Sequence, residues 1–272
     1  MTTPPPPDGS DAGTADLVYD RLDDDTESDD TTDRSKMSFL EHLEELRRRI
    51  IYSIYALLGG CAISFTFLDR VIRFIMVPIK NTGRMLISEP TEGFMFNLKM
   101  GLLAGIIVAS PFIFLQLWYF VAPGLYTREK RVAIPFVFSA TLLFVAGAWF
   151  AHTFAFPITW KFLASFGNND YMTYMPTVSS TFSLYVKMVL GLGLIFQMPI
   201  LAFFLARFGI ISAKFLIQKT KYAILIIFII AAVASPGQDV MSQIVFAAPM
   251  LFLYLLSIGV AWVFSKKKPA TI

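Results

Sequence analysis

Beyond a strongly acidic N-terminal tail, the side of this chain richest in Lys and Arg carries only four carboxylates: Glu41, Glu44, Glu45 and Glu129. Glu44 and Glu45 stand just before Arg47-Arg48-Arg49. Glu129 lies among Arg128, Lys130 and Arg131, in a short loop that closes the stretch VASPFIFLQLWYFVAPGLYTREKR at 108–131. A carboxylate at the edge of an apolar phase can take two N–H groups of a guanidinium, and such charge-assisted pairs contribute about 1.5–3 kcal/mol each. Arginine suits this better than lysine because its planar fork meets both carboxylate oxygens. The chemistry on offer is capture of a basic segment arriving from the cytoplasm. Spacing also permits a plainer role. Glu44 and Glu45 precede Arg48 and Arg49 by four residues, the spacing of intrahelical pairs worth about 0.2–0.5 kcal/mol, and Glu129 among three cations reads the same way. From spacing alone the plainer role is the simpler one.

The elements that must hold these carboxylates are membrane helices. Of 272 residues 56% are hydrophobic and the mean hydropathy is +0.61. Several charge-free runs reach the roughly 20 residues that a helix needs to cross a ~30 Å hydrocarbon core. The expected fold is an all-α integral membrane protein with six spans, near 50–68, 100–122, 133–156, 182–206, 222–236 and 242–264. The last two are separated because residues 222–265 hold one charge, Asp239, and would run ~66 Å as a single helix, with Ser235-Pro236-Gly237-Gln238-Asp239 supplying the turn. The fifth span is short, which implies insertion without tilt or a locally thinned bilayer. Ahead of the first span, Ser38-Phe39-Leu40-Glu41 fits a capping box, and Leu40, Leu43, Leu46 and Ile50 share one face. These features predict a short interfacial helix on the cytoplasmic surface, closed by Arg47–Arg49. Val71–Ile79 is apolar but too short to span, and reads as a second interfacial helix ending at Pro78.

Charge orients the chain. Residues 1–49, 123–131, 207–221 and 265–272 together carry 16 of the 23 Lys and Arg, so both termini are expected in the cytoplasm. The longer connections 69–99 and 157–181 then face outside. Residues 1–36 hold 11 acidic and 3 basic side chains, against 9 and 20 in 37–272. The expected organisation is a disordered acidic tail (1–36), a six-span domain (37–265) and a basic C-terminal tail (266–272). The first tail lacks the basic start and apolar centre of a secretory signal.

Other chemistries find little support. Cys61 is alone, so no intrachain disulfide forms. His42 and His152 lack the pattern of a metal site, and neither a GxxxxGK loop nor a GxGxxG fingerprint is present. No metal, cofactor or nucleic acid is expected, and work done by the chain needs an energy source other than bound nucleotide. No ionisable group sits centrally in any expected span, which weighs against a small-solute channel or secondary transporter; so does the lack of an internal repeat. That class remains the alternative. An intramembrane enzyme would need a nucleophile and base that the isolated hydroxyls and His152 do not supply. Inside the spans, Gln197 is either an interhelical hydrogen bonder or a contact to a partner helix. Pro111, Pro135, Pro157, Pro199 and Pro249 either follow the usual enrichment of proline in membrane helices or bend helices into a rigid concave wall.

Five blocks in order carry a resemblance: FLEHLEELRRRI at 39–50, ASPFIFLQLWYFVAPGLYTREKR at 109–131, FQMPI at 196–200, SPGQDVMSQ at 235–243 and AAPM at 247–250. Across 37–265 the chain resembles the TatC family, the multispanning signal-peptide receptor of the twin-arginine protein translocase. The resemblance implies a non-enzymatic, cup-shaped bundle in the cytoplasmic membrane of a prokaryote. It implies export of folded proteins driven by the proton-motive force. It places signal-peptide binding on Glu45 and Glu129, which would clamp the paired arginines. Pro111, Trp118, Phe120 and Pro123 would shape that site, while Pro78 and Asp239 match positions on the outside face. Implied partners are twin-arginine signal peptides, single-span TatA- and TatB-type proteins docking at the short fifth span, and further copies of the chain. Two positions depart from the family pattern: Gln197 stands where many members have Glu, and Thr127-Arg128 precede Glu129 where His or Lys is common. The acidic tail has no counterpart in the family pattern.

Overall fold

In the computed structural model, residues 2–3, 41–79, 85–121, 133–167, 175–207, 209–235 and 240–264 are described. They are almost entirely helical. The helices are α1 (Glu41–Thr66), α2 (Leu68–Ile75), α3 (Glu92–Val121), α4 (Ala133–Phe150), α5 (Phe156–Gly167), α6 (Val178–Ile195), α7 (Met198–Arg207), α8 (Ala213–Gln218), α9 (Thr220–Ala234) and α10 (Val240–Phe264). A 3₁₀ turn, Val77–Ile79, follows α2, and a π turn, Ala151–Ala155, joins α4 to α5. Among the described residues the sole β pairing is one isolated bridge. Five stretches are long and apolar enough to cross a membrane: Glu41–Thr66, Glu92–Phe120, Ile134–Ser165, Val178–Arg207 and Ser242–Phe264. The expected fifth span is the shorter apolar helix Thr220–Val233.

One expectation is corrected. The short helix predicted at 38–49 is not a separate element, because helical backbone continues without interruption from Glu41 to Thr66. Nothing between Arg49 and Ile50 could break it: no Gly or Pro intervenes before Gly59, and the apolar spacing that begins at Leu43 runs on into the span. Ser38 and its capping box lie outside the described residues. The chain divides into two compact units, 1–51 and 52–272. In the first, the described structure is the opening of α1.

Within the second unit, local chemistry fixes the helix ends. The Glu92 carboxylate accepts the Ser88 N–H at 3.2 Å at the head of α3. Thr177 caps α6 by accepting from Ser180 N–H, and Ser212 caps α8 by accepting from Phe215 N–H at 3.2 Å. Gly209, at φ 75°, closes α7 with a Schellman motif in which Gly209 N–H donates to Ala206 O and Ile210 N–H to Leu205 O. The α6–α7 break falls at Phe196-Gln197, just before Pro199, which sits in the first turn of α7 where its missing N–H costs least. Pro111 lies inside α3 and leaves the Ile107 carbonyl without its helical donor. The buried Ser110 hydroxyl supplies one at 2.8 Å, so the helix continues.

Helix crossings are made by small residues, as in other membrane bundles. A Cβ on Gly60 of α1 would lie 2.5 Å from the Gly105 carbonyl oxygen of α3. One on Gly147 of α4 would lie 2.7 Å from the Leu192 carbonyl of α6. The main core gathers Met100 and Leu103 of α3, Phe156 and Trp160 of α5, Phe182 and Leu192 of α6, and Phe246 and Met250 of α10. The two connections expected outside are tied together where Leu86 N–H donates to Pro176 O and Val178 N–H donates to Leu86 O, at 3.0 and 3.1 Å.

Candidate functional site

Glu45 sits on the first part of α1, half-buried. Its Oε1 accepts from Arg49 Nη2 at 2.9 Å, one helical turn on. This is the intrahelical pair that the spacing allows. Oε2 accepts no hydrogen bond among the described residues, so one acceptor edge remains open to a second donor. Glu41 and Glu44, on the same helix, are exposed. Glu129 and Pro123 fall between α3 and α4 and lie outside the described residues, as does Asp239.

The aromatic exit of α3 is a packed cluster. Trp118 is 3% exposed, and its ring lies 4.9 Å from Phe136 of α4 and 5.7 Å from Phe204 of α7. Phe136 and Phe204 meet edge-to-face at 5.0 Å. Phe114 and Phe144 extend the cluster one turn deeper. Trp118 therefore ties the end of α3 to α4 and α7, while Tyr119 beside it is exposed. Phe120 is half-buried on the last turn of α3. Pro111 sits two turns deeper in the same helix. Gln197, at the α6–α7 break, donates from Nε2 to the Ala140 carbonyl of α4 at 3.1 Å. Pro78 lies in the 3₁₀ turn after α2, beside the buried Ile79.

Three arrangements escaped the sequence reading. His152, considered there only as a metal ligand or catalytic base, shares a 2.9 Å hydrogen bond between Nδ1 and the Tyr185 hydroxyl and stacks on Phe74 at 4.3 Å. Lys99 donates to Ser183 Oγ at 2.9 Å, linking α3 to α6. The glycine crossings are the third. The partners stand 33 and 84 residues apart in the first two cases, and no local spacing reveals them. The Gly101-x-x-x-Gly105 spacing could have revealed part of the third. Among the described residues no group of His, Cys, Asp and Glu could hold a metal ion.

The long apolar helices, their small-residue crossings and the charged residues gathered at helix ends define a polytopic all-helical membrane protein. Comparison with known proteins makes the class specific. The model of the family "Sec-independent protein translocase protein (TatC)" matches residues 41–249, and the chain belongs to the TatC family. It is 43% identical over 238 residues to the TatC of Koribacter versatilis, covering 85% of this chain and 87% of that one. It is 40% identical over 226 residues to the TatC of Carboxydothermus hydrogenoformans, covering 83% and 93%. Two crystal structures described as the twin arginine translocase receptor TatC superpose with TM-scores of 0.70 and 0.72 at 37% and 38% identity. They cover 81% of this chain and 97% and 99% of theirs. The chain is thus a subunit of a protein translocase, not an enzyme, and the family sets it apart from the solute channels and transporters.

Proposed function

We propose that this chain is the receptor and core subunit of a twin-arginine translocase, with Glu45 and Glu129 as the acceptors for the paired arginines of a signal peptide. The observation that carries the reading is the state of Glu45: a half-buried carboxylate at the head of a membrane helix, with one oxygen on Arg49 and the other open. An arriving guanidinium meets a pre-oriented acceptor, and the second guanidinium is left for Glu129. Pro111, Trp118, Phe120 and Pro123 shape the approach to Glu129, and the packed Trp118 cluster at the end of α3 supports that reading. Pro78 and Asp239 belong to the opposite, outside face, where Leu86 ties the long connections. The six-span domain is 37–265, between an acidic tail at 1–36 and a basic one at 266–272, with both termini in the cytoplasm. The membrane is the cytoplasmic membrane of a prokaryote. Single-span TatA- and TatB-type proteins dock at α9 and near Gln197, copies of the chain associate, and the proton-motive force drives folded cargo across.

The test is site-specific photocrosslinking from Thr127, beside Glu129, to a twin-arginine precursor and to its twin-lysine variant. The expected result is a crosslink to the first that is lost with the second, because an ammonium cannot make the bidentate contact. Equal crosslinking to both would return Glu129 to a local pair with its basic neighbours.

A further inference from the structure

The segment between α7 and α9 is built to hold a fixed surface. Its entry is the Gly209 Schellman motif, and α8 is capped by Ser212. Tyr254 of α10 donates its hydroxyl to the Leu216 carbonyl at 2.7 Å. Ala213 packs with Ala206 of α7 and Ala261 of α10, and Leu216 packs against them. With that face of α8 turned inward, the remaining side chains are left outward: Ile210 is 68% exposed, Phe215 47%, Ile217 60% and Tyr222 52%. Lys214, Lys219 and Lys221 are exposed among them. The ammonium groups of Lys219 and Lys221 converge on one ring, 5.4 and 5.2 Å from the centroid of Tyr222. None of these three lysines meets a carboxylate among the described residues.

We propose that residues 209–222 bind the phosphate headgroup of an anionic phospholipid, with Lys219 and Lys221 gripping the phosphate around Tyr222 and Lys214 adding to the field. Two cations gathered on one ring repel each other, and a phosphate monoanion between them turns that repulsion into two attractions. The apolar side chains select a lipid over a free anion or an acidic polypeptide. Ile210, Phe215 and Ile217 stay in water around either of those, but enter the headgroup–acyl boundary around a lipid. Tyrosine at the entry of a span is itself an interfacial residue. The site lies at the head of α9, an apolar helix that falls short of the five long apolar stretches, so the bound lipid would belong to the layer that must adapt to it.

The test uses full-length protein extracted from vesicles of equal phosphatidylglycerol and phosphatidylcholine, with retained lipids counted by native mass spectrometry. Phosphatidylglycerol is expected to be retained preferentially. At about 1 kcal/mol for each basic residue near an anionic surface, K219Q or K221Q lowers its affinity about fivefold and the double variant about 25-fold. Phosphatidylcholine retention does not change, and K161Q, an exposed lysine on α5, serves as the control. Unchanged retention in the double variant, or equal retention of both lipids, overturns the site. Displacement by millimolar inorganic phosphate assigns it to a free anion, and displacement by polyglutamate to an acidic polypeptide; either overturns the lipid assignment. If the double variant does not fold, amine acetylation of the wild type decides. Phosphatidylglycerol vesicles are expected to protect Lys219 and Lys221 where phosphatidylcholine vesicles do not, and equal labelling in both overturns the proposal.

Discussion

Replacing Glu45 and Glu129 together by Ala is expected to weaken binding of a twin-arginine signal peptide about 10²- to 10⁴-fold. Each lost guanidinium–carboxylate pair accounts for about 1.5–3 kcal/mol, and every 1.4 kcal/mol is tenfold in affinity. The two sites are not equivalent. At Glu45, Arg49 already holds one carboxylate oxygen at 2.9 Å, so an incoming arginine shares the group and gains toward the lower end of the range. Glu45→Gln separates charge from shape: it keeps the acceptor oxygen and the volume, and is expected to fall between wild type and Ala. Titration of a fluorescent signal peptide into the solubilised protein at two salt concentrations measures all of this. Loss of the carboxylates should also flatten the salt dependence, since screening acts only on charges that are present. Binding by the double variant within twofold of wild type would refute the assignment of both residues.

The second large effect concerns the α4–α6 crossing. Gly147→Ala places a methyl group 2.7 Å from the Leu192 carbonyl oxygen and 3.0 Å from Gly193 Cα. Both neighbours are backbone, so no side chain can swing aside and the helices must separate. Overpacking of that kind costs about 1–3 kcal/mol, a large part of a net stability of roughly 5–15 kcal/mol. Gly147→Leu widens the gap further and is expected to leave no folded protein. Gly259→Ala is the matched control: nothing lies within 4 Å of the added methyl on α10, and removing a helical glycine is expected to stabilise by about 0.5–1 kcal/mol. Thermal unfolding in detergent separates the two, with the midpoint falling for Gly147→Ala and rising for Gly259→Ala. A midpoint for Gly147→Ala equal to that of wild type would mean that the crossing is looser than its geometry.

Much of the fold could be read in advance because a hydrocarbon solvent simplifies the problem. Charge-free length identifies membrane helices directly, and Ser235-Pro236 marked the end of α9 where Ser235 N–H makes the last helical bond. The missed boundaries have local causes. The predicted break before Ile50 relied on the charge of Arg47–Arg49, but charge does not interrupt backbone hydrogen bonding, so α1 ran through. The second span, expected over 100–122, begins earlier, at Glu92, where the carboxylate accepts the Ser88 N–H, and Lys99 within α3 donates to Ser183 Oγ. The carboxylate chemistry of Glu45 was visible as two possibilities, and the geometry supplies its internal partner. His152 was not legible at all, since its meaning depends on Tyr185 and Phe74, which only the folded chain brings near.

The π turn at 151–155 makes the length of this helix as consequential as its composition. Phe136, Ala140, Phe144, Ala148, His152, Phe156 and Trp160 are all buried, a strict four-residue series. A regular α-helix advances about 100° per residue, so such a series drifts steadily around its cylinder. The wider turn at Ala151–Ala155 takes back part of that drift and returns Phe156 and Trp160 to the core. Losing a single residue there would let the turn relax to regular winding, and the two changes nearly cancel, about 100° lost with the residue and about 90° regained by the tighter turn, so Phe156 and Trp160 would still face the core. A one-residue insertion or deletion in the regular α segments on either side turns everything beyond it by about 100°, whereas the same deletion within 151–155 is absorbed by the turn. The helix works like a key whose later teeth are cut relative to the earlier ones, and evolution can recut single teeth far more freely than it can shift the blank.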